Sequence, residues 1–385
     1  MLRNMDGISI MQVCISASWG GLEMHVPILA RSLARKGYPV TAVCRRGSPI
    51  DDRLVREGIP RLAVKGEGYI SPGSVLAIRD FAGKHRVRLV HTHYSRDLWR
   101  VVPAIAPMRE IAHVHTRHIR SGVVKRDFLH RLLFRRVDGW IVTSEDGRVN
   151  LLDTHPVDPR KVHLVSYGVD LSGNERDPYA RERIRKEFGI SGEVTVVGML
   201  GRLTPGKGHM TLFQAARKVL SETDRAVVFL IIGGPSRGEE GFGESLKKAV
   251  AGMGLEGWFR FAGQREDVWD ILSAMDIYVM PSDKEAFGIS LLEARGSGLP
   301  VITTAAGGPQ EVVEDGRSGI LIPPRDPDRL SEAILRLYRD EGLRRRLGEA
   351  ARERVMKRYS EEAMVEGILE VYRSVIGRRR RGAGL

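Results

Sequence analysis

Two carboxylates eight residues apart, Glu285 and Glu293, carry the first chemical signal. They lie in the run 280–324, MPSDKEAFGISLLEARGSGLPVITTAAGGPQEVVEDGRSGILIPP. A strand ends at Pro281, a loop carries Glu285, and Gly288 opens a helix through Leu291, Leu292 and Glu293. On one continuous helix the two carboxylates would stand about 80° apart in azimuth and two turns apart along the axis. With Glu285 in the loop, both can point the same way and grip two hydroxyl-bearing parts of one ligand. The free N–H groups and positive dipole at residues 287–290 add a candidate anion site. Two Glu at this spacing are ordinarily surface charge; the neighbouring pattern decides otherwise.

Histidine is concentrated early: ten of the eleven lie before residue 171, and only His209 follows. In the run 113–118, HVHTRH, a strand ends and a loop begins. On a strand His113 and His115 share a face, but they lack the Cys or carboxylate company of a closed zinc site. No Asp-x-Asp pair or His/Asp cluster reads as a metal site. Residues 1–170 hold 27 Lys+Arg against 16 Asp+Glu, a net of +11, whereas the other 215 hold 34 against 32, a net of +2. The basic part is expected to meet something anionic: nucleic acid, an anionic membrane or a phosphorylated substrate. Within it, residues 125–136, KRDFLHRLLFRR, form a basic amphipathic helix. Its apolar face, Phe128, Leu129, Leu132 and Leu133, either packs on a sheet or docks on an anionic membrane.

The elements that must position these groups follow from hydropathy. In the first part, apolar runs at 8–16, 39–44, 88–93, 111–116, 140–143 and 162–165 alternate with helices at 22–36 and about 73–85. Such runs lack polar alternation, which predicts a parallel sheet covered on both faces, hence a doubly wound α/β domain. Residues 172–178 break the rhythm with Gly, Asn, Asp and Pro and read as a linker, followed by a charged helix at 179–188. A second series then runs through 194–200, 226–232, 258–261, 277–280, 301–303 and 319–322, and residues 327–376 are almost all helix with a break near Ser360. Arg378 to Arg381 read as a frayed basic tail. Two tandem α/β domains imply a ligand cleft. The longest apolar stretches, 226–232 and 101–108, are far short of the ~18 residues of a membrane span. Asp6 interrupts the apolar start, and cleavage near Ser18 would delete the first strand, so we expect a cytosolic protein, with Cys14 and Cys44 as buried hydrophobes.

The order Glu285-x-Phe287-Gly288, Glu293-Ala294, Gly298-Leu299-Pro300-Val301, Gly307-Gly308, Glu311-Val312-Val313, Gly316, Gly319 closely resembles glycosyltransferase family 4. Gly201-Arg202-Leu203 with Lys207-Gly208 resembles the family's phosphate segment, residues 274–282 its approach to the paired Glu, and Gly20-Gly21-x-Glu23 its first glycine loop. The resemblance implies a retaining transferase of the two-domain GT-B fold. Its domains would be 1–172, binding the acceptor, and 173–360, binding the nucleotide sugar. Residues 361–385 would form a helix packing back on the first, with a basic tail. It further implies that Glu285 contacts hydroxyls of the donor sugar and Glu293 the ribose. Arg202 and Lys207 would grip the diphosphate, joined by the backbone of Gly288 and Ile289, and Phe287 and the glycine loop Gly20-Gly21 would also contact the donor. Gln264, in Gly263-Gln264-Arg265, would lie by the base, and His118, with His115 as competitor, would face the sugar. His93 would line the acceptor side or be structural. Arg202, Lys207 and the helix end would stabilise the leaving phosphate without a divalent metal. No resident cofactor is implied, only a UDP- or GDP-linked donor. Two departures stand out: Ala286 replaces a common Gly, and Arg295-Gly296-Ser297 replaces small or apolar residues.

The expectation is therefore a cytoplasmic glycosyltransferase at the inner face of the membrane, with peripheral membrane contact. Its acceptor would be an anionic glycan or glycolipid such as lipopolysaccharide core or a lipid-linked oligosaccharide. Rival readings are a GT-B nucleotide-sugar 2-epimerase and a basic nucleic-acid binder. The continuous Glu285–Gly319 pattern fits transferases better, and no recognition helix, RNP or zinc module supports nucleic acid.

Overall fold

The computed structural model describes residues 7–66, 68–69, 71–171, 176–223, 226–235 and 239–382. The chain divides into two compact units: unit 1, Met1–Ser166 with Met364–Leu385, and unit 2, Tyr167–Ala363. The divisions fall at 166/167 and 363/364, a few residues from the expected 172/173 and 360/361. Residues 172–175 of the expected linker lie outside the described residues.

Unit 1 is built on strands β1 (Ile10–Cys14), β2 (Val40–Arg45), β3 (Arg61–Val64), β4 (Leu89–Thr92), β5 (Ala112–Arg117), β6 (Gly139–Val142) and β7 (Val162–Leu164). They form one sheet in the order β3-β2-β1-β4-β5-β6-β7, every pairing parallel. The pleat sends alternate residues to opposite layers. From β1, Ile10 and Cys14 join one core while Met11 and Val13 join the other. The terminal helix Glu361–Gly382 closes the first layer with Val365, Leu369 and Tyr372. That helix continues through Arg378 and Arg379, so this part of the expected frayed tail is ordered. The reason is pairing: Arg379 Nε donates to Asp138 Oδ2 at 2.8 Å. The edge strand β3 escaped the sequence reading because its apolar run, Leu62 to Val64, is only three residues long between Arg61 and Lys65, and only Val64 is buried.

Unit 2 repeats the plan with β8 (Thr195–Leu200), β9 (Val227–Ile232), β10 (Phe259–Gly263), β11 (Ile277–Met280), β12 (Val301–Thr304) and β13 (Ile320–Ile322). The parallel order is β10-β9-β8-β11-β12-β13. On β9, Val227, Phe229 and Ile231 enter one core layer and Val228, Leu230 and Ile232 the other. The order reverses between β8 and β11, and at such a switch the chain ends leave room for a ligand beyond the strand C-termini. The helical C-terminal segment has a second break, at Asp340, whose side chain accepts from Leu343 N at 2.7 Å and caps a new helix, Glu341–Arg358.

Arg295, one of the departures noted above, is fully buried. Its guanidinium donates to Val312 O and to Ser318 Oγ (3.3 Å), pinning the helix Ile289–Gly296 to the segment beyond it. Burial lowers its pKa to about 10. A Cβ at Gly296 beside it would come within 2.5 Å of Leu171 Cδ2, so that side chain would have to shift. Arg295→Ala would leave a buried cavity and take one donor each from Val312 O and Ser318 Oγ, which keep Arg354 Nε and Glu314 N. We expect a loss on the order of 3 kcal/mol, read as a lower midpoint in urea unfolding; an unchanged midpoint would contradict this role.

Candidate functional site

In unit 2 the predicted donor residues gather at the C-terminal ends of β8 and β11. After β8 the turn reaches Lys207 and then Gly208, which caps the helix His209–Glu222 with φ of +81°. Only glycine fits: a Cβ at 208 would stand 1.9 Å from Pro281 O. This close approach brings the phosphate segment against the loop after β11, and Asp283 N donates to Gly206 O at 2.8 Å. Lys207 Nζ forms an ion pair with Glu285 Oε2, both side chains largely shielded from solvent. Glu285 is held from behind, because Gly308 N donates to its carbonyl at 3.0 Å and its own N–H to Ala306 O at 3.3 Å. The sequence spacing could not show this pairing of one expected phosphate ligand with one expected sugar ligand.

Gly288, at φ of +91°, caps the helix Ile289–Gly296, whose first N–H groups have no intrahelical acceptors. Tyr278 OH donates to Ser290 Oγ at 2.9 Å, fixing the first turn to the sheet. Glu293 lies one turn on, partly buried, with no hydrogen bond or ion pair to its carboxylate among the described residues. Burial raises its pKa to about 7. Phe287 is different from the rest: its ring is buried against Tyr167, with centroids 5.3 Å apart, so only its backbone is available to a ligand. Ile289 packs against the same cluster. Arg202 is exposed just beyond β8, and Gln264 is exposed just beyond β10, beside Gly234. Arg265 is committed to Glu187 and Asp267.

In unit 1 the histidines form an ordered network. His118 is 6% exposed; its Nε2 lies 3.1 Å from His93 Nδ1, and its ring centroid 5.2 Å from that of His25. His93 Nε2 reaches Gln12 Oε1 at 2.7 Å, and Gln12 Nε2 donates to Tyr372 OH at 3.2 Å. Tyr372 OH also meets His91 Nδ1 at 2.7 Å, and His91 Nε2 meets Thr116 Oγ1 at 2.6 Å. These contacts assign the protons: Gln12 Oε1 can only accept, so His93 carries its proton on Nε2 and offers Nδ1 to a proton on His118 Nε2. Burial holds the pKa of His91, His93 and His118 well below the usual imidazole range, and neighbouring histidines push the same way for all three. The network is therefore neutral at pH 7.

His115 takes another direction. Its Nδ1 meets Thr92 Oγ1 at 2.8 Å, and its ring packs edge-on against Trp140 at 5.1 Å. His113 Nε2 shares the same hydroxyl at 3.0 Å. So the pair weighed for zinc is tied to Thr92. The histidines whose nitrogens do converge, to within 4.8 Å of one another, are His25, His93 and His118. His25, Gln12 and Tyr372 were not singled out from sequence; nothing local in the chain links Tyr372 to a residue 281 positions earlier. Gly20 caps the helix Gly21–Arg35, whose first turn carries Glu23, buried and accepting from Ser16 Oγ at 2.7 Å.

Known proteins resemble this chain in sequence and in fold. The family model for Glycosyltransferase Family 4 matches residues 19–172, and that for Glycosyl transferases group 1 matches residues 180–354. The chain is 30% identical over 399 residues to a D-inositol 3-phosphate glycosyltransferase of Acidothermus cellulolyticus, covering 94% of this chain and 88% of that one. The Corynebacterium urealyticum protein of the same name is 28% identical, covering 92% and 91%. Among solved structures, a glycosyltransferase from Rickettsia africae superposes with a TM-score of 0.85 at 22% identity, covering 96% of this chain and 99% of that one. Anabaena HepE in complex with UDP and glucose gives 0.83 at 21%, covering 95% and 100%. With a 30% identical relative matched along nearly its whole length, two family models that follow one another along it, and two parallel-sheet units, this chain belongs to glycosyltransferase family 4 and is a glycosyltransferase of the GT-B fold.

Proposed function

We propose that this enzyme transfers a sugar, with retention and without a metal ion, from a UDP-linked donor to an anionic hydroxyl acceptor. The observation that carries the reading is the Lys207–Glu285 pair beside a helix start, with the unpartnered Glu293 carboxylate one turn further on. A nucleotide sugar offers each group a partner. Glu285 accepts from sugar hydroxyls, and Glu293 from the two ribose hydroxyls. Arg202, Lys207 and the Gly288–Ile289 N–H groups neutralise the diphosphate, and Gln264 lies by the base. His118 hydrogen bonds to a hydroxyl of the sugar, and Gly20 and Gly21 present backbone to the donor. UDP is chosen over GDP because HepE, of the same fold, is described with UDP and with UDP-glucose.

In the reaction the bond from the anomeric carbon to the phosphate oxygen breaks, its electrons passing to the phosphate. The acceptor oxygen bonds to the same carbon on the same face, and its proton passes to the departing phosphate. Charge therefore builds where Arg202, Lys207 and the helix start are already placed, so the protein contributes chiefly preorganised electrostatics and orientation. The surplus of +11 in residues 1–170 supports an anionic acceptor. The relatives are named for D-inositol 3-phosphate, which supports a small phosphorylated polyol. A cell-envelope glycan on a lipid carrier, met at the cytoplasmic membrane face, is the second reading, supported by the exposed apolar residues of the basic helix.

Calorimetric titration with UDP, GDP and ADP in EDTA tests the donor site. We expect micromolar UDP binding, weaker GDP and ADP, and at least a tenfold loss in Glu293→Gln. Only the ionised carboxylate accepts from both ribose hydroxyls. With its pKa at about 7, its ionised fraction, and so UDP affinity, should rise on the order of tenfold from pH 6 to pH 8. That extra rise should vanish in the variant. The sign for stability is opposite: ionisation above pH 7 costs the folded state more than the unfolded one, so Glu293→Gln is stabilised at pH 8 and its lost binding is not unfolding. No UDP binding, or equal binding by the variant, would sink the assignment.

A further inference from the structure

The basic helix predicted at residues 125–136 turns its apolar face outward. Of the helix Phe128–Arg135, Leu133 and Phe134 are buried, whereas Phe128, Leu129 and Leu132 are 76%, 57% and 60% exposed. Ile119, Val123 and Val124 just before it are exposed as well. Among the described residues fourteen large hydrophobic side chains are exposed, and these six share one stretch, residues 119–132. Scattered singly they would need no explanation; gathered in one stretch, with Phe128, Leu129 and Leu132 on one side of the helix, they mark a segment that meets something apolar.

Charge on the same face says what that partner carries. Arg126 donates to the carbonyls of Leu152 and Asp153 at 3.1 and 3.0 Å, and Arg131 to Arg126 O at 2.8 Å. None of Arg117, Lys125, Arg126, Arg131 and Arg135 has an ion-pair partner among the described residues. The one acid within the stretch, Asp127, is held by His130 at 2.5 Å. Ser95, Arg117, Lys125, His130 and His155, with apolar rings and no carboxylate, line one narrow pocket. Arg117 reaches Ser95 Oγ, and its Nε is buried without a hydrogen-bond partner. Burial lowers the pKa of Arg117 and Lys125, as expected of cations withdrawn from water without a counter-charge.

We infer that residues 119–132 dock this protein on an anionic phospholipid surface, the outward apolar side chains entering the interfacial layer and Arg117 and Lys125 taking a lipid phosphate. A second copy of the chain fits poorly, because a symmetric contact would oppose five uncompensated cations to five. A nucleic acid fits poorly because one aromatic ring, Phe128, is offered where single strands stack on several. The inference uses no residue of the unit 2 donor site and stands or falls apart from it.

Co-sedimentation of the full chain with sucrose-loaded vesicles tests it. Binding to phosphatidylcholine with 30% phosphatidylglycerol is expected at 0.1 M NaCl, with much weaker binding to phosphatidylcholine alone. The triple variant F128S/L129S/L132S keeps every charge, so general basic attraction would leave it unchanged; we expect at least a tenfold loss. R117Q/K125Q should lose the preference for the anionic lipid while keeping the weak residual binding. Thermal melts of both variants should match the parent. Equal sedimentation with the two vesicle types, wild-type binding by the triple variant, or a micromolar dimer that this variant dissolves would each overturn the inference.

Discussion

Replacing Lys207 by Met lowers kcat for sugar transfer by about 100- to 1,000-fold while donor KM moves less than tenfold. The expectation rests on when the ammonium is needed. In the free enzyme its charge is matched by Glu285, so part of the Lys207 interaction is already satisfied before donor arrives. In the proposed reaction, negative charge grows on the departing oxygens as the sugar–phosphate bond breaks, and the ammonium would gain a stronger partner there. An interaction that strengthens towards the transition state shows in kcat rather than KM. Glu285→Gln should lose a similar factor through two effects: weaker acceptance from the sugar hydroxyls, and an ammonium with no carboxylate to orient it. The double variant should lose much less than the product of the single losses, because the two side chains act as a unit. Steady-state kinetics with saturating acceptor measures all three. A kcat within threefold of wild type for Lys207→Met would remove Lys207 from the reaction.

The second large effect is acid lability. His91, His93, His113, His115 and His118 are all buried, and burial holds each pKa well below the usual value of 6.5. A base with a depressed folded pKa leaves stability intact above its unfolded pKa and removes it as pH falls below, because only the unfolded chain takes up the proton. The limiting slope is about 1.4 kcal/mol per pH unit for each histidine. Two carboxyls oppose the trend. Burial raises Asp97 and Glu293 to about 7, so both take up protons in the folded state first and add stability as pH falls from 7 towards 4. Five protons against two leaves a net loss on the order of 3 kcal/mol between pH 7 and pH 5.5. His25 and His209, with pKa lowered to about 4, and His155, lowered to about 3, add to the loss. Urea unfolding at the two pH values reads this directly, and an unfolding midpoint that does not fall with pH would mean that the histidines are hydrated or protonated in the folded protein.

Most of the fold was legible because buried parallel strands write themselves as short apolar runs. Twelve of the thirteen strands lie where such runs were read, with ends differing by at most two residues. The exception, β3, is an edge strand whose apolar run is only three residues long, Leu62 to Val64, and mostly half-buried. The break at Asp340 was missed for a related reason: helical periodicity continues across it, and only the Asp340 cap of Leu343 N marks the restart. The odd Arg295 within a family pattern of small residues could be noticed in the chain. Whether it faced solvent or core depended on Val312 and Ser318, 17 and 23 residues later.

The candidate site divides in the same way. Residue types and order alone determined the family, the paired Glu285 and Glu293, the Gly288 helix start and the cations Arg202 and Lys207, since each is a local requirement written within a few residues. Tertiary structure decided what depends on separate segments meeting. It joined Lys207 to Glu285 across 78 positions, turned Phe287 into the core, and separated His115, packed on Trp140, from His118, aligned with His93 and His25. It also brought Tyr372 from the last helix into the histidine network and turned Phe128, Leu129 and Leu132 outward where periodicity alone allowed either face. Periodicity says which side chains share a face; only packing of elements distant in the chain says what that face meets.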